Sequence, residues 1–360
     1  MKQYLHILQN ANSKISEVDL YLPIKNTNID SLEMVVLRVA LEKYFKFEIP
    51  DVIWFNYQTL AEALEYFHIN KGSQNDNQVS EKKEIAHFEN IEIRMPQMAK
   101  SALSENWLLK FLGDTHWQLI TKGFQKKSSE FIDDNGNRLY STFIIINYNV
   151  SSLSQFSENE TIEFNSNIKC FGNNTFLSKI TGNCAEKNIS ATLMTTFSVR
   201  EGADNNKVSK CEPQIRTNRI IQLSKTPLFL NDYRLLRKGL IDEISTNYGN
   251  FKLTGDTLFS CEYTINPYYD INGVGLLYFA SYPIIADKCF DEYYKQNKDL
   301  QTIYRDVFYF SNCNATERII YKLNSIVENE TQIKTLMTLF RASDNQMLAT
   351  ILTVKQLNLK

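Results

Sequence analysis

The sequence predicts an α+β protein: a small four-helix part at the N-terminus, then a larger part in which an antiparallel sheet surrounds two central helices. Three observations indicate this. Residues 1–70 contain four segments with helical spacing of apolar residues, residues 71–88 are polar and aperiodic, and the remainder is rich in strand-like runs. The length of 360 residues allows two or three domains with sizeable cores.

The helical segment that follows Asp30 has a serine in its first turn. Asp30 is a favourable N-cap, so Ser31 lies among unpaired backbone N–H groups at the positive end of the helix dipole. Such a position stabilises a phosphate ester by roughly 0.3–1 kcal/mol. Helix capping alone also explains this Asp-Ser pair. The apolar side of the segment is expected to carry Val35, Val36, Val39 and Ala40, flanked by Met34, Leu37 and Leu41.

The context of this serine resembles the prosthetic-group site of acyl carrier proteins. Asp30-Ser31-Leu32 is followed by Glu48-Ile49-Pro50-Asp51, with a first helix expected around residues 2–10 and a last one over 59–67. The resemblance implies an acyl carrier domain over residues 1–70. It also implies 4′-phosphopantetheine covalently bound to Ser31 by a phosphopantetheinyl transferase. Ile29 stands where many carriers have glycine, which leaves the attachment serine in place.

Residues 71–88 are expected to form a flexible linker, because the stretch from Lys71 to Lys83 is polar and lacks apolar periodicity. A mobile tether would raise the effective concentration of the carrier arm at a site in the C-terminal part.

The C-terminal part contains strand-like runs and two helical segments that each follow a proline. The strands are predicted at 140–150, 161–171, 190–199, 258–265, 306–310 and 346–355. The helical segments are predicted within 96–113 and 267–279, and aligning Pro96 with Pro267 sets Trp107 opposite Tyr278. Gly113 is expected to end the first helix. The apolar stripe of that helix contains Leu103, Trp107, Leu108, Phe111 and Leu112.

This pattern looks like an internal repeat in which a strand and a sharp loop lead into a central helix wrapped by a later sheet. Such a unit is a hot-dog fold, and two in tandem, over residues 89–210 and 211–360, make a double hot-dog. The alternative is an ordinary α+β domain with one buried helix.

Several short runs resemble the double hot-dog family of the leinamycin-pathway bifunctional acyltransferase/decarboxylase, over residues 91–355. They are MPQMA at 95–99, LSENWLLK at 103–110, GDTHW at 113–117, NG at 272–273, LYFA at 277–280 and RDVFYF at 305–310. The resemblance implies an enzyme that takes a malonyl- or methylmalonyl-type acyl-CoA, passes the acyl group through a tyrosine ester and loses carbon dioxide. The product is delivered to a carrier protein.

The stretch that matches the strand of the family's tyrosine contains Tyr140, which is therefore the expected nucleophile, and strand alternation puts Thr142 on the same face. A phenol with an ordinary pKa of about 10 needs a neighbouring base or donor, and the sequence does not reveal one. Decarboxylation makes an enolate, which needs donors at the thioester oxygen. The backbone amides of Ala99, Lys100, Ser101 and Ala102, expected at the start of the first central helix, are the candidate donors.

Two other positions have competing interpretations. Asp270 and Asn272 resemble the acidic and amide groups of hot-dog thioesterases, although a loop with an N-cap explains them more simply. His116 is expected to follow the first central helix and to be structural. Three function classes therefore remain: an acyltransferase/decarboxylase fused to its carrier, a thioesterase in which Asp270 activates water, and a non-catalytic docking scaffold for the carrier.

The composition limits the classes of binding partner that we expect. A net charge of −2 without a basic stretch argues against nucleic acid, and six scattered cysteines lack metal-ligand spacing. No apolar stretch approaches eighteen residues, so we expect no membrane span and a soluble, cytoplasmic protein. The expected partners are acyl-CoA, the phosphopantetheinyl transferase and enzymes of a polyketide or fatty-acid type synthase.

Overall fold

The computed structural model contains two compact units, and each is stabilised by its own core. The N-terminal unit comprises Met1–Lys83 with Leu223–Thr226, and the large unit comprises Glu84–Gln222 and Pro227–Lys360. The residues that the structure describes are 2–27, 29, 31–45, 49, 54, 57–70, 84–100, 102–217, 219–223, 225–253, 256–295 and 299–357.

Three helices form the described part of the N-terminal unit. They are α1 (Leu5–Ala11), α2 (Ser31–Phe45) and α3 (Leu60–Asn70), with 3-10 turns at Lys2–Tyr4, Val18–Leu20 and Ile24–Asn26. Leu8, Leu41 and Phe67 are fully buried in the core between them. Most residues between α2 and α3, including Glu48, Pro50 and Asp51, lie outside the described residues, so the four-helix carrier fold stays a prediction.

Helix α2 begins at Ser31, but the side chain of Ser31 and the whole of Asp30 lie outside the described residues. The predicted apolar side of α2 is wrong in part, because Val36 and Val39 are 45% and 55% exposed. The buried stripe instead consists of Met34, Leu37, Leu41 and Phe45. These side chains bury more apolar area than valines, which favours this orientation of the helix.

The large unit is built on one twelve-stranded sheet among the residues that are described. Two of the predicted strands have the expected bounds, whereas β1, β6, β14 and β15 were not predicted. The main strands of the first half are β1 (Ala86–Glu92), β4 (Tyr140–Val150), β5 (Thr161–Phe171), β6 (Thr175–Cys184), β7 (Lys187–Glu201) and β8 (Asp204–Lys210). Those of the second half are β12 (Phe259–Thr264), β13 (Leu300–Tyr309), β14 (Arg318–Glu328), β15 (Gln332–Arg341) and β16 (Met347–Leu357).

Shorter strands complete the set. They are β2 (Met98–Ala99), β3 (Ala102–Leu103), β9 (Ile221–Gln222), β10 (Glu243–Thr246) and β11 (Gly249–Lys252). Because β1 begins at Ala86, the last three residues of the predicted linker belong to a strand, while residues 71–83 lie outside the described residues.

The strand order shows an internal repeat. The path through the sheet is β1-β5-β6-β7-β4-β13-β16-β15-β14-β12. Counting five strands in each half, both halves have the order first, third, fourth, fifth, second, and the two second strands, β4 and β13, pair with each other antiparallel. We call β1 to β8 with their helix the first repeat and β12 to β16 with theirs the second repeat.

A single pseudo-two-fold axis relates the repeats. β4 has an irregularity between Phe143 and Ile145, and β13 has one between Thr302 and Tyr304. Superimposing these bulges makes Asn147 equivalent to Asp306, and these two residues are also paired with each other across β4 and β13. The axis therefore passes at this pair, where the Asn147 side chain donates a hydrogen bond to the Asp306 carboxyl group.

The first central helix is α4, Glu105–Phe124, and it packs against β5, β6 and β7. It begins later than predicted because a 3-10 turn at Met95–Gln97 and the paired strands β2 and β3 precede it, after which Ser104 caps the helix by accepting from the Trp107 N–H. It also continues past Gly113, which is an interior residue. A Cβ atom on Gly113 would lie 2.2 Å from the Phe279 ring, so glycine permits that ring to approach the helix.

The second central helix is α7, Ser281–Tyr293, and not the predicted segment 267–279. That segment is a one-turn helix, α6 (Pro267–Asp270), followed by a loop that turns at Gly275 with a φ of +85°. Glycine adopts this left-handed conformation without the cost that a side chain adds. Trp107 and Tyr278 are consequently not equivalent, since Trp107 is helical and Tyr278 lies in the loop.

Residues 211–258, here called the inter-repeat segment, connect the two repeats. They contain α5 (Phe229–Lys238) and the β10–β11 hairpin. Tyr233 of α5 is buried and stacks on Phe310, with 5.2 Å between ring centroids. No helix in the described ranges is long and apolar enough to cross a membrane.

Candidate functional site

The large unit contains a cavity of about 380 Å³ between its two repeats and the inter-repeat segment. The first repeat contributes Ser141, Thr142, Phe143, Ile144, Thr196, Ser198, Val208, Ser209 and Lys210. The second repeat and the loop before α7 contribute Asn272, Leu276, Leu277, Phe279, Tyr282, Tyr309, Phe310, Ser311 and Asn312, and α5 contributes Tyr233 and Arg237.

The cavity changes character from its interior to its opening. Leu277, Tyr282 and Tyr309 are each less than a tenth exposed and form an apolar inner end. Burial also opposes ionisation of the two phenols, because it raises the pKa of Tyr282 and Tyr309 far above the ordinary value. Both hydroxyl groups donate to backbone carbonyls, Tyr282 to Ser311 and Tyr309 to Phe279. Lys210 and Arg237 are exposed, so they mark the end that opens to solvent.

Strand β4 positions one wall of the cavity. Ser141, Thr142, Phe143 and Ile144 all line the cavity, and the strand has its irregularity between Phe143 and Ile145. Thr142 is held by Ser198, with 2.7 Å between the hydroxyl oxygens. The Ser141 hydroxyl is buried and has no hydrogen-bond partner among the described residues.

The loop before α7 forms the opposite wall. The Asn272 Oδ1 accepts from the N–H groups of Val274 and Leu276, at 3.1 and 3.0 Å. The side-chain amide Nδ2 of Asn272 has no hydrogen-bond partner in the described ranges and belongs to a residue that lines the cavity. Asn312 fixes the same loop by binding both the N–H and the carbonyl of Leu277. The arrangement leaves one amide donor available to a ligand.

Tyr140 lies beside the cavity and does not line it. Tyr140, Ser198 and Lys210 are paired in one row across β4, β7 and β8, so their side chains project from one face of the sheet. Ser198 and Lys210 both line the cavity. Tyr140 therefore occupies the outer position of a row that leads into the cavity.

The phenol of Tyr140 has a cationic partner that the sequence did not reveal. Arg200 donates from Nη2 to the Tyr140 hydroxyl oxygen at 3.2 Å. Its Nη1 donates to the Asn205 side chain at 2.8 Å and to the Val274 carbonyl at 3.2 Å. A guanidinium in this position stabilises negative charge on the phenol oxygen and links it to the loop that carries Asn272.

Asp270 is not part of the cavity lining. It is 3% exposed, and its Oδ2 accepts from the Tyr263 hydroxyl at 2.9 Å and from the Asn266 N–H at 2.8 Å. The carboxylate therefore closes the turn of α6. Asn272 lines the cavity and Asp270 does not, so a joint role of the two residues stays a prediction.

The predicted donors at residues 99–102 do not stand at a helix start. Ala99 pairs with Ala102 in the β2–β3 hairpin, and Lys100 forms an ion pair with Asp299 at 3.1 Å. Ser101 lies outside the described residues. The described residues among them do not line the cavity, and the helix begins only at Glu105.

His116 is an interior residue of α4 and is 1% exposed. Its Nδ1 is 2.7 Å from the Ser178 hydroxyl, and its Nε2 is 2.7 Å from the Thr195 hydroxyl. Desolvation lowers the pKa of His116 to about 3. The ring is consequently neutral in the folded protein at ordinary pH, and it joins α4 to β6 and β7.

This histidine should make the stability of the large unit depend on pH. Below pH 6.5 the unfolded chain binds a proton that the folded state excludes. The free energy of unfolding therefore keeps its full value above pH 6.5. It falls by about 1.4 kcal/mol for each pH unit between pH 6.5 and pH 3. Urea unfolding between pH 7.5 and 5 measures this slope, above the range in which most carboxylates titrate. We expect His116→Gln to lose the slope and His87→Gln to keep it; equal slopes in both variants would contradict the assignment.

A buried ionic cluster occupies the large unit close to the start of α4. Arg305 is fully buried, with its Nε 2.7 Å from the Glu105 carboxylate and its Nη2 2.7 Å from the Asp287 carboxylate. Lys355 pairs with Asp287 at 3.0 Å, and the Tyr148 hydroxyl donates to Glu105. Burial opposes ionisation of Asp287, but Arg305 and Lys355 hold its pKa below the ordinary value. Two carboxylates thus balance two cations.

The pseudo-two-fold axis explains where this cluster lies. By the bulge equivalence, Arg305 corresponds to Ile146 and Thr302 to Phe143. The first of each pair belongs to the ionic cluster, where Thr302 donates to Glu105 at 2.9 Å, whereas Phe143 lines the cavity. The second repeat therefore has ionic and polar residues at positions where the first repeat has apolar ones.

Metal binding has no support in the geometry of the described chain, where no three His, Cys, Asp or Glu side chains come together. The described lining of the cavity combines apolar surface with neutral hydrogen-bonding groups and two cations.

Similar solved structures identify the fold of the large unit. The 12:0-ACP thioesterase from Umbellularia californica is 10% identical with a TM-score of 0.52, covering 76% of this chain and 95% of that chain. An acyl-ACP thioesterase from Bacteroides thetaiotaomicron is also 10% identical, with a TM-score of 0.51 and coverage of 75% and 97%. The sequence matches no protein-family model and no curated protein. At this level of identity the likeness concerns the fold alone, and the large unit has a hot-dog fold with two repeats.

Proposed function

We propose that the large unit transfers an acyl group from a malonyl- or methylmalonyl-type acyl-CoA to a phosphopantetheine arm and removes carbon dioxide from it. The observation that carries this proposal is the composition of the cavity lining. It combines an apolar inner end, hydroxyl and amide groups and two cations, without a carboxylate among the described lining residues. Decarboxylation of a malonyl-type thioester needs donors at the thioester oxygen and no strong base.

The polar groups suit the steps of such a reaction. In decarboxylation the bond between the α-carbon and the carboxylate breaks, its electron pair forms an enolate with the thioester carbonyl, and carbon dioxide leaves. The donors that we assign to the enolate oxygen are the free Asn272 amide and the Thr142 hydroxyl. Thr142 donates to the Thr196 carbonyl at 3.2 Å in the structure, so it would exchange that bond for the enolate oxygen while accepting from Ser198. The α-carbon then takes a proton from solvent.

Tyr140 is the nucleophile that we assign to acyl transfer. Its oxygen attacks the thioester carbonyl, the carbon–sulfur bond breaks, and the departing thiolate takes up the phenol proton, directly or through water. The thiol of a carrier arm then attacks the tyrosine ester and restores the phenol. Arg200 supports this role because it stabilises negative charge on the tyrosine oxygen in both steps.

The arm is proposed to be that of residues 1–70, attached at Ser31, in a polyketide or fatty-acid type pathway. Thioester hydrolysis is the second candidate function, favoured by the likeness to two proteins named as thioesterases. Against it stands the position of Asp270, whose carboxylate is bound to Tyr263 and Asn266 and is not available in the cavity to activate water.

One experiment separates the candidates. The protein carrying phosphopantetheine is incubated with malonyl-CoA or methylmalonyl-CoA, and intact mass and released carbon dioxide are measured. We expect a decarboxylated acyl group on the protein and an equal amount of carbon dioxide. Free acid without protein acylation would indicate a thioesterase, and absence of any turnover would indicate a docking scaffold; either result would end the proposal. The Ser31→Ala protein is the control for acylation outside the arm.

A further inference from the structure

Two cations stand together at the open end of the cavity. Lys210 is the last residue of β8, and Arg237 is in the last turn of α5. Both line the cavity and both are exposed. Partial loss of solvent and the charges of Arg237 and Arg234 lower the pKa of Lys210. The cations therefore repel one another, an arrangement that an anionic ligand would relieve.

The surrounding structure holds these cations in place. Tyr233, one turn before Arg237 in α5, is buried and stacks on Phe310, a residue that also lines the cavity. Lys210 pairs across the sheet with Ser198, in the row that begins at Tyr140. The Asn272 amide and these two cations therefore belong to the lining of one cavity.

We propose that Lys210 and Arg237 bind the phosphate of a phosphopantetheine group whose acyl end lies in the cavity. The inference rests on the proposed acyl-thioester function and adds a binding site for the part of the substrate farthest from the reacting bond. The order of chemistry along the cavity matches this ligand: apolar surface for the acyl group, the Thr142 and Asn272 donors for the thioester, and cations for the phosphate. Charge-assisted hydrogen bonds to phosphate are the strong contacts in such a site.

The phosphopantetheine group occurs in two molecules, namely free CoA and the arm on a carrier protein. Full-length protein without phosphopantetheine is titrated calorimetrically with 4′-phosphopantetheine, pantetheine and CoA. We expect pantetheine to bind at least roughly tenfold more weakly than 4′-phosphopantetheine. To test which source binds, the CoA titration is repeated on protein that carries its own phosphopantetheine arm. If CoA binds this protein more weakly, and if the difference depends on Lys210, the arm occupies the site.

Charge-removing variants locate the contact. Lys210→Gln and Arg237→Gln should each weaken 4′-phosphopantetheine roughly tenfold and leave pantetheine unchanged. Lys207→Gln is the matched control, because Lys207 is on the same strand, is exposed and pairs with Glu201 at 3.7 Å. We expect it to bind as the original protein does.

Three results would overturn the inference: equal affinity for the two pantetheines, an effect of Lys207→Gln as large as that of Lys210→Gln, or no measurable binding of either ligand. A Lys210 effect that appears with malonyl-CoA and not with acetyl-CoA would assign the cations to the acyl carboxylate and would also overturn it. Binding is measured without turnover, so the phosphate site can stand if acyl transfer fails, and acyl transfer can stand if the phosphate site fails.

Discussion

Tyr140→Phe is expected to abolish transfer of an acyl group from acyl-CoA to the arm on Ser31. The substitution removes only the hydroxyl group, and Arg200 keeps its bonds to Asn205 and Val274, so the loop before α7 should stay in place. Loss of a nucleophile lowers the rate by several orders of magnitude. Loss of one hydrogen bond worth about 1.4 kcal/mol lowers it only roughly tenfold. Single-turnover transfer, followed by intact mass, distinguishes these effects.

The matched control is Tyr268→Phe, which makes the same chemical change at a side chain that is 92% exposed. It should transfer acyl groups at the original rate. Carbon dioxide release by Tyr140→Phe is informative as well, since an enolate stabilised by Thr142 and Asn272 does not need the phenol if the acyl group reacts while on CoA. If Tyr140→Phe loads its arm at near the original rate, the tyrosine ester is excluded and direct transfer to the thiol takes its place.

Much of the fold was predictable from local pattern, and two of the failures have a shared physical cause. The strands at 140–150 and 161–171 alternate strongly enough to be predicted with the observed bounds. The strand Thr175–Cys184 was missed because it contains Gly182, which ordinarily indicates a loop. In the structure the Phe164 ring of the neighbouring strand lies 2.7 Å from where a Cβ on Gly182 would stand. A contact with the neighbouring strand therefore explains the glycine, and the local pattern of one sequence does not reveal that contact.

Gly113 misled the helix prediction in the same way. Glycine often ends a helix, whereas Gly113 accommodates Phe279, which is distant in sequence. The second central helix was misplaced because Asn272, Gly273 and Gly275 lie in an apolar stretch, and the loop they form was assigned to a helix. Recognising the repeat still gave the correct number of central helices, and the strand order confirms the repeat.

The candidate site was predictable only where a residue stands in a recognisable run. Thr142 and Asn272 line the cavity, and Tyr140 lies next to it, whereas Asp270 and the described residues at 99–102 are elsewhere. Arg200, Lys210 and Arg237 were missed. They belong to β7, β8 and the inter-repeat segment, and only the packing of these elements brings Arg200 to Tyr140 and brings Lys210 and Arg237 to the cavity. Charged residues at strand and helix ends are common on solvated surfaces, so their sequence carries no signal of a site.

The carrier assignment predicts that one substitution abolishes phosphopantetheine attachment completely. Incubating the protein with a phosphopantetheinyl transferase and CoA should add one phosphopantetheine, and Ser31→Ala should remove the addition entirely because no oxygen remains to form the phosphodiester. Ser31 is the first residue of α2, where alanine is at least as good a helix former, so circular dichroism should be unchanged. Ser13→Ala, at an exposed turn of the same unit, is the control and should be modified fully. Modification that persists in Ser31→Ala would place the attachment at another residue, and absence of modification in the original protein would mean that residues 1–70 are not a carrier.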